Sequence, residues 1–367
     1  MSSKGSKIED GIASGLRVAV FPSSAQSRAN PILDLMEEPL KRRGVVFVNP
    51  GSDYLSGKWL LRNRKSVDVL HFHWTQYHYL GASRRESWSR MLRFNAKLIL
   101  ARLLGYRVVW TMHNTLPHER PYPEVDWISR LCTAHTAHSV IVHCEEGRRQ
   151  LWQRFRRRRQ VVIAYHGNYV QAYPNTISRL EARRLLGVDL SCLVFLFFGA
   201  VRPYKGLEDL IAAFRDLLES HLRLLIVGRP YSEDYGAALV SAVQGDHRIM
   251  MMPEFVSDSE VQVYFNAADA VVLPFTHVLT SGSAMLALSF GKPVIAPAIG
   301  CLPEIVTRDV GILYDPAQAD GLRTALRQCL NLDLEHMGRK AWDKARQYDW
   351  DTVADRTLEA YGAASDG

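Results

Sequence analysis

The sequence predicts an α/β protein of two domains, each built on a doubly wound parallel sheet. Short apolar runs such as Val194–Phe198 and Val271–Pro274 lack the alternation of a half-exposed strand, so both of their faces are expected to be covered. Segments with helical spacing alternate with these runs along the whole chain, the pattern of a parallel sheet with helices on both faces. The chain has 367 residues and its charge is split. Residues 1–170 carry 27 Lys and Arg against 13 Asp and Glu, whereas residues 171–367 carry 18 against 25. Two halves of opposite sign imply two domains facing different partners.

Composition narrows the class. With 47% hydrophobic and 23% charged residues the chain can bury a large core and needs no staple. Five scattered cysteines with no C-x-x-C pair indicate neither a disulfide framework nor a zinc site, and a reducing cytoplasm is the natural compartment. No run of about 18 apolar residues offers a transmembrane helix. Residues 1–15 are small and polar, lack the apolar core of a signal peptide, and are expected to form a disordered lead-in.

The elements follow in order. Leu16–Phe21, Val45–Val48, Val67–His73, Arg107–Thr111, Ser139–His143 and Val161–Ala164 read as strands, with helices over Ile32–Arg43, Arg84–Leu104, a segment ending near Ala137, and 145–158. The second half gives strands at Val194–Phe198, Arg223–Val227, Ile249–Met252, Val271–Pro274 and Pro293–Pro297. Its helices are Leu207–Leu218, Ser257–Asn266, Ala284–Phe290, 319–331 and Trp350–Tyr361. In such sheets ligands bind beyond the carboxyl ends of the strands. His73, His113, His118 and His166 all follow predicted strands, and their convergence on one edge points to a site. The stretch from Val271 to Val306 is the other focus. Thr280, Ser281, Gly282 and Ser283 open its helix, and a helix start rich in hydroxyls and free N–H groups suits a phosphate. The plainer alternative is that Ser281 or Ser283 only caps the helix.

Particular motifs then carry a resemblance. FFGAVRPYKGLEDLIAAF, LIVGRP, SDSEVQVYFNAADAVVLPF and SGSAMLALSFGKPVIAPAIGCLPEIV resemble the C-terminal domain of GT-B glycosyltransferases. YDWDTVADRTLEAY resembles their last helix, which crosses back to the N-terminal domain. HFHW and VVWTMHNTLPHE resemble the acceptor domain of bacterial exopolysaccharide glycosyltransferases, family 4-like and closest to the β-mannosyltransferase type. The resemblance implies the GT-B fold, two Rossmann-like domains facing across a cleft. It implies an acceptor domain over 16–172, a nucleotide-sugar donor domain over 173–348, and a final helix over 349–367 that packs on the first domain.

It also implies roles. Lys205 matches the family's diphosphate-binding lysine, and a cation there answers the charge that develops on the leaving nucleoside diphosphate. Arg202 is a second cation, although relatives place their arginine directly after the glycine, where this chain has Ala200. Gly199, Arg229, Thr280, Ser281, Gly282, Ser283 and Glu304 complete the donor side; for Glu304 a first-turn helix acid is the alternative. Relatives that retain anomeric configuration carry two glutamates eight positions apart, where this chain has Val278 and Leu286. Their loss favours inversion, in which a base deprotonates the acceptor hydroxyl and the sugar moves in one displacement. His113 falls where relatives place a histidine that touches the donor sugar and is the first catalytic candidate, with Glu119 and His118 as base candidates. His73, Trp74, Asn114 and His166 are assigned to the acceptor side, with satisfied core residues as the alternative for His71, His73 and Trp74.

The basic half interleaves Arg154–Arg159, Lys58, Arg62, Arg84, Arg85, Arg90, Arg93 and Lys97 with Trp, Leu and Phe, which suits an anionic membrane surface. A solvated charged face is the alternative, and no nucleic-acid motif accompanies the arginines. Asp349 and Asp351 read as caps of the last helix rather than a metal pair. The expectation is a cytoplasmic hexosyltransferase, peripheral on the inner face of the plasma membrane and independent of metal and cofactor. It would move a hexose, mannose favoured, from a GDP- or UDP-linked sugar to a saccharide acceptor, lipid-linked by preference, in polysaccharide or glycolipid synthesis. The alternatives are a retaining transferase, a nucleotide-sugar epimerase, or an inactive sugar-nucleotide-binding partner of a transferase complex.

Overall fold

The structure, a computed structural model, describes residues 15–23, 31–51, 55–117 and 121–362. The expected disordered lead-in lies almost wholly outside these. The chain forms two compact units: one ends at Tyr165 and resumes at Trp350, and the other runs from His166 to Asp349. The sequence placed the boundary after residue 172. It falls earlier because the exit segment is held by second-unit atoms. The Tyr169 N–H donates to Ser289 Oγ (2.9 Å) and the Asn168 N–H to the Tyr348 carbonyl (2.8 Å).

The first unit is a six-stranded parallel sheet of β1 (Arg17–Phe21), β2 (Val46–Phe47), β3 (Val69–Phe72), β4 (Arg107–Thr111), β5 (Ser139–Val142) and β6 (Val161–Ile163), in the order β2-β1-β3-β4-β5-β6. Val18 pairs with Val69, Leu70 with Val108 and Val140 with Val161, so each β-branched run is buried against the next. One face packs Val18, Val20, Val69, Val109 and Ile141 against Leu33, Met36 and Leu40 of the helix Ile32–Arg42. The helix Trp350–Tyr361 joins the same core through Ala354, Ala360 and Tyr361. It is clamped by Arg42 and Arg43, which pair with Asp351 (2.9 and 2.7 Å), while Arg43 also pairs with Asp355 (2.5 Å). Asp351 therefore serves as an ion-pair partner, correcting its expected role as a cap.

The second unit repeats the plan with β7 (Leu193–Phe198), β8 (Leu222–Val227), β9 (Ile249–Met252), β10 (Ala270–Val272), β11 (Val294–Pro297) and β12 (Gly311–Tyr314), in the order β12-β11-β10-β7-β8-β9. β7 and β8 are almost wholly buried, as their unbroken apolar runs require. Both sheets reverse their chain order once, between β1 and β3 in the first and between β7 and β10 in the second. At such a reversal the two exit loops part and leave a crevice at the carboxyl edge. The loops concerned begin at His73 and at Gly199 and Leu273. Among the described residues no helix is long and apolar enough to cross a membrane.

Candidate active site

In the second unit the loop after β7 meets the loop after β10. Gly199 has φ +128°, and a Cβ there would lie 3.6 Å from Ser283 Oγ. Gly206 has φ +67°, and a Cβ on it would overlap the Pro274 carbonyl. Only glycine allows both the left-handed backbone and so close an approach. The short 3-10 turn Pro203–Lys205 between them carries the candidate cation. Lys205 is buried (9% exposed), with its ammonium 4.3 Å from the centroid of Phe275 and 5.4 Å from that of Tyr204. Among the described residues no carboxylate pairs with it. Burial, and next the charge of Arg202, push its ammonium down to about 8. Arg202 itself lies over the Tyr231 ring at 5.3 Å. Arg229 is exposed; its carbonyl accepts the Val201 N–H (2.9 Å), which ties the exits of β7 and β8 together.

The helix expected to open over 280–283, with its body at Ala284–Phe290, runs from Gly282 to Ser289. Ser281 is its cap, with Oγ accepting the Ala284 N–H (3.1 Å), so the capping alternative describes Ser281. The N–H groups of Gly282 and Ser283 then head the helix without intrahelical partners. The Thr280 hydroxyl lies 3.6 Å from Cys301 Sγ. His166 and Tyr169 cover this helix start: a Cβ on Gly282 would meet Tyr169 Oη at 3.1 Å and His166 Nε2 at 3.3 Å. His166, expected on the acceptor side, thus belongs to the second unit. Burial lowers its pKa against the opposing pull of the Gly167 carbonyl. Leu286 is buried and apolar in this helix. Glu304 is an exposed first-turn residue of the helix Leu302–Ile305, as its alternative reading had it.

In the first unit histidines line the carboxyl edge of the sheet. His73 follows β3, His113 follows β4 and His143 follows β5. His73 Nδ1 is 2.8 Å from His113 Nε2, and His113 Nδ1 is 3.2 Å from His143 Nε2. His143 Nδ1 is 2.8 Å from the carbonyl of Ala164, which follows β6. Ring centroids are 5.1 and 5.0 Å apart, close to the spacing of about 4.8 Å between neighbouring strands. The ladder thus sets the histidines in hydrogen-bonding reach. Trp74 stacks on His113 at 4.6 Å with the planes 11° apart. His71 stands aside, its nitrogens taken by Tyr361 Oη (2.8 Å) and Thr111 Oγ1 (2.7 Å). It is the satisfied core histidine of the alternative reading, with burial holding its pKa down at about 3.

Orphan polar atoms surround the same exits. His73 Nε2, Thr75 Oγ1, Asn114 Oδ1 and Arg130 Nε are buried without a hydrogen-bond partner. Arg130 links the exits of β3 and β4, donating to the Asn114 carbonyl (2.5 Å) and to Gln76 Oε1 (3.1 Å). Each such orphan costs about 1–3 kcal/mol, which a polar ligand would relieve. His118 and Glu119 lie outside the described residues. The sequence reasoning missed His143, which it closed into the strand, and also Thr75, Arg130, Tyr204, Tyr231 and Phe275. The signal for His143 was available: it sits one strand along from His113 at the matching position. Among the described residues no group of three or more His, Cys, Asp or Glu is arranged to hold a metal ion.

Comparison with known proteins bears on this geometry. Residues 192–332 match the model of the glycosyl transferases group 1 family. The GDP-mannose:glycolipid 4-beta-D-mannosyltransferase of Xanthomonas campestris pv. campestris is 27% identical over 310 residues, 82% of either chain. The D-inositol 3-phosphate glycosyltransferase of Corynebacterium aurimucosum is also 27% identical, over 81% of this chain and 72% of its own. Among solved structures, sucrose-phosphate synthase of Thermosynechococcus elongatus superposes with a TM-score of 0.72 at 16% identity, covering 95% of this chain and 98% of that one. The Anabaena protein HepE, in complex with UDP and glucose, superposes at 0.71 with 19% identity, covering 95% and 100%. With two parallel six-stranded sheets and a last helix returned to the first of them, the chain has the GT-B fold, and its residues 192–332 are similar to the glycosyl transferases of group 1.

Proposed function

We propose that the protein transfers a hexose, mannose by preference, from a nucleoside-diphosphate sugar to a saccharide acceptor with inversion. The observation that carries this is Lys205, a buried cation with no carboxylate among the described residues. Its charge, that of Arg202 and the N–H groups at Gly282 and Ser283 make a cradle suited to a diphosphate. They can neutralise the leaving group without a metal ion. Mannose is favoured because the Xanthomonas relative is named for GDP-mannose. Inversion is favoured because Val278 and Leu286 offer no carboxylate. The orphan polar atoms of the first unit support an acceptor site there, with Trp74 and Asn114 beside the histidine edge.

A lipid carrier for the acceptor is supported by the helix Arg84–Leu103. Leu92, Ile99 and Leu103 are exposed on it, 62%, 48% and 79% respectively, with Arg85, Arg93 and Arg102 exposed around them. An apolar stripe with cationic flanks suits the interface of an anionic bilayer. A cavity of about 510 Å³ beside this helix is lined by Arg90, Arg93 and Lys97 with Glu86, which pairs with Arg90 (2.7 Å), and by Leu55, Tyr77, His78 and Phe94; the two cations beyond that pair, Arg93 and Lys97, suit the phosphates of a lipid carrier. The Arg154–Arg159 run contributes less than expected: Arg157 is tied to the His138 carbonyl (2.7 Å), and Arg158 is stacked on Trp152 at 3.6 Å.

The test is a donor screen. GDP-mannose, UDP-glucose, UDP-glucuronate and UDP-GlcNAc are followed by thermal shift and nucleotide release, with and without Lys205→Ala. One donor should stabilise the wild type and not the variant. If none does, the cradle is not a donor site and this reading fails; a donor that binds with neither nucleotide release nor transfer would favour the inactive sugar-nucleotide-binding partner instead.

A further inference from the structure

The hydrogen bonds along the histidine edge have a direction, and one backbone atom sets it. A carbonyl oxygen only accepts, so His143 must carry a proton on Nδ1 to bond Ala164 at 2.8 Å. A neutral imidazole has one N–H, so His143 Nε2 is an acceptor, and the proton of the 3.2 Å bond belongs to His113 Nδ1. By the same step His113 Nε2 accepts, and the proton of the 2.8 Å bond belongs to His73 Nδ1. The chain therefore ends on a bare lone pair at His73 Nε2, the atom that is buried and without a partner. It also follows that both nitrogens of His113, the foremost catalytic candidate by sequence, are already engaged.

We propose that these three histidines form a one-way proton relay in which His73 Nε2 takes the proton of the acceptor hydroxyl and the charge comes to rest on His143. This rests on the transferase reading above. The acceptor O–H bond breaks and its proton binds His73 Nε2. The Nδ1 proton of His73 passes to His113 Nε2, and the Nδ1 proton of His113 passes to His143 Nε2. The acceptor oxygen bonds to the anomeric carbon while the bond from that carbon to the diphosphate oxygen breaks, and that electron pair leaves on the diphosphate. His143 then holds two protons, one still on the Ala164 carbonyl. After product leaves, the protons run back and the extra one passes from His73 to water. The relay has a physical reason. His73 is buried, and desolvation first, then the repulsion from any positive charge on His71 or His143, keeps its own pKa well below the usual imidazole value. A cation is poorly held there, whereas His143 is only half-buried and keeps a carbonyl partner. His73 is thus the catalytic base, and His113 and His143 are positioning residues.

Two measurements test this. In the full-length protein labelled with 15N-histidine, His73, His113 and His143 should all show the Nδ1–H tautomer near neutral pH. A proton on Nε2 of His73 would overturn the relay. In His143→Gln the amide oxygen can accept from His113 Nδ1–H, so the tautomers should persist, yet the side chain cannot take a proton. Transfer should fall by about 100-fold or more in kcat, the scale of general-base loss, with the donor KM within about twofold. A wild-type kcat in this variant overturns the relay and leaves the transferase reading intact. A wild-type protein that transfers no sugar from any donor overturns that reading, and the use of the relay with it.

Discussion

Two buried cations in the second unit show how partners distinguish structure from function. The Arg183 side chain is fully buried and pairs with Asp269 at 2.7 Å, while its other groups donate to the carbonyls of Ala267 (3.0 Å), Leu190 (3.0 Å) and Cys192 (2.8 Å). Every demand of that charge is met within the fold, so it builds the unit. Lys205 is equally enclosed but has aromatic rings for neighbours, so its charge waits for an anion. An anionic ligand favours the charged ammonium, and the free side chain titrates near 8. Donor-induced stabilisation should be constant between pH 6 and 7, then weaken above about pH 8 by up to tenfold in affinity per unit, because binding must take up a proton. Titration of the donor by calorimetry at several pH values would show it; unchanged affinity at pH 9 would exclude Lys205 from the diphosphate contact. The sequence made Lys205 visible through its place between a strand and Gly206. It hid the roles of Tyr204, Tyr231 and Phe275, because an aromatic residue beside a lysine has no periodic signature and only folding brings Phe275 to it.

At the scale of elements, loops meeting at a strand end carry the chemistry, and their glycines permit it. Gly206→Ala places a Cβ against the Pro274 carbonyl in a left-handed backbone. It should cost about 1–3 kcal/mol, read as a lowered denaturation midpoint together with loss of donor binding. The helix Arg84–Leu103 invites a different experiment. Leu92→Asp with Leu103→Asp should abolish sedimentation with anionic vesicles, while donor binding stays unchanged because the second unit is untouched. Persistence of vesicle binding would move the membrane contact to another surface. Most strands were legible, since covered parallel strands are continuous apolar runs. β12 was not: Gly311–Tyr314 is short and ends half-buried, so it lacks such a run. The helix Leu334–Arg346 also escaped, its few buried residues being small ones and Met337 among many charges.

At the scale of the molecule, the doubled sheet and its alternating pattern were plain from the sequence, whereas the place where each strand order reverses was not. Order is decided by which neighbours pair, and no residue announces it. The second-unit site lies at its reversal, between the exits of β7 and β10, whereas the histidine edge starts at the exit of β3, beside the first reversal, and runs on along the ends of β4, β5 and β6. The fold also buries histidines in neutral form. Desolvation is the first cause of the low pKa of His71 (about 3), His78 and His138 (each about 4), His73 and His166. Below about pH 6.5 the unfolded chain binds protons that the folded chain refuses, so stability must fall as pH drops through that range. The melting temperature should decline steadily from pH 6.5 to 4; a flat profile would mean that these rings are charged in the folded state. The last helix gives a further prediction: a chain stopped after Asp349 should keep a protease-resistant second unit and a labile first one, because Tyr361 and Ala354 are missing from the first core. That dependence has a consequence for biosynthesis. Ribosomes deliver a protein from its amino end, and the early domain ordinarily finishes first. Here the amino-terminal half emerges early yet stays incomplete until the final turns are translated, so the later-made unit closes before it. The nascent first unit is left for most of synthesis with an uncovered apolar face, the state in which a chaperone has most to protect.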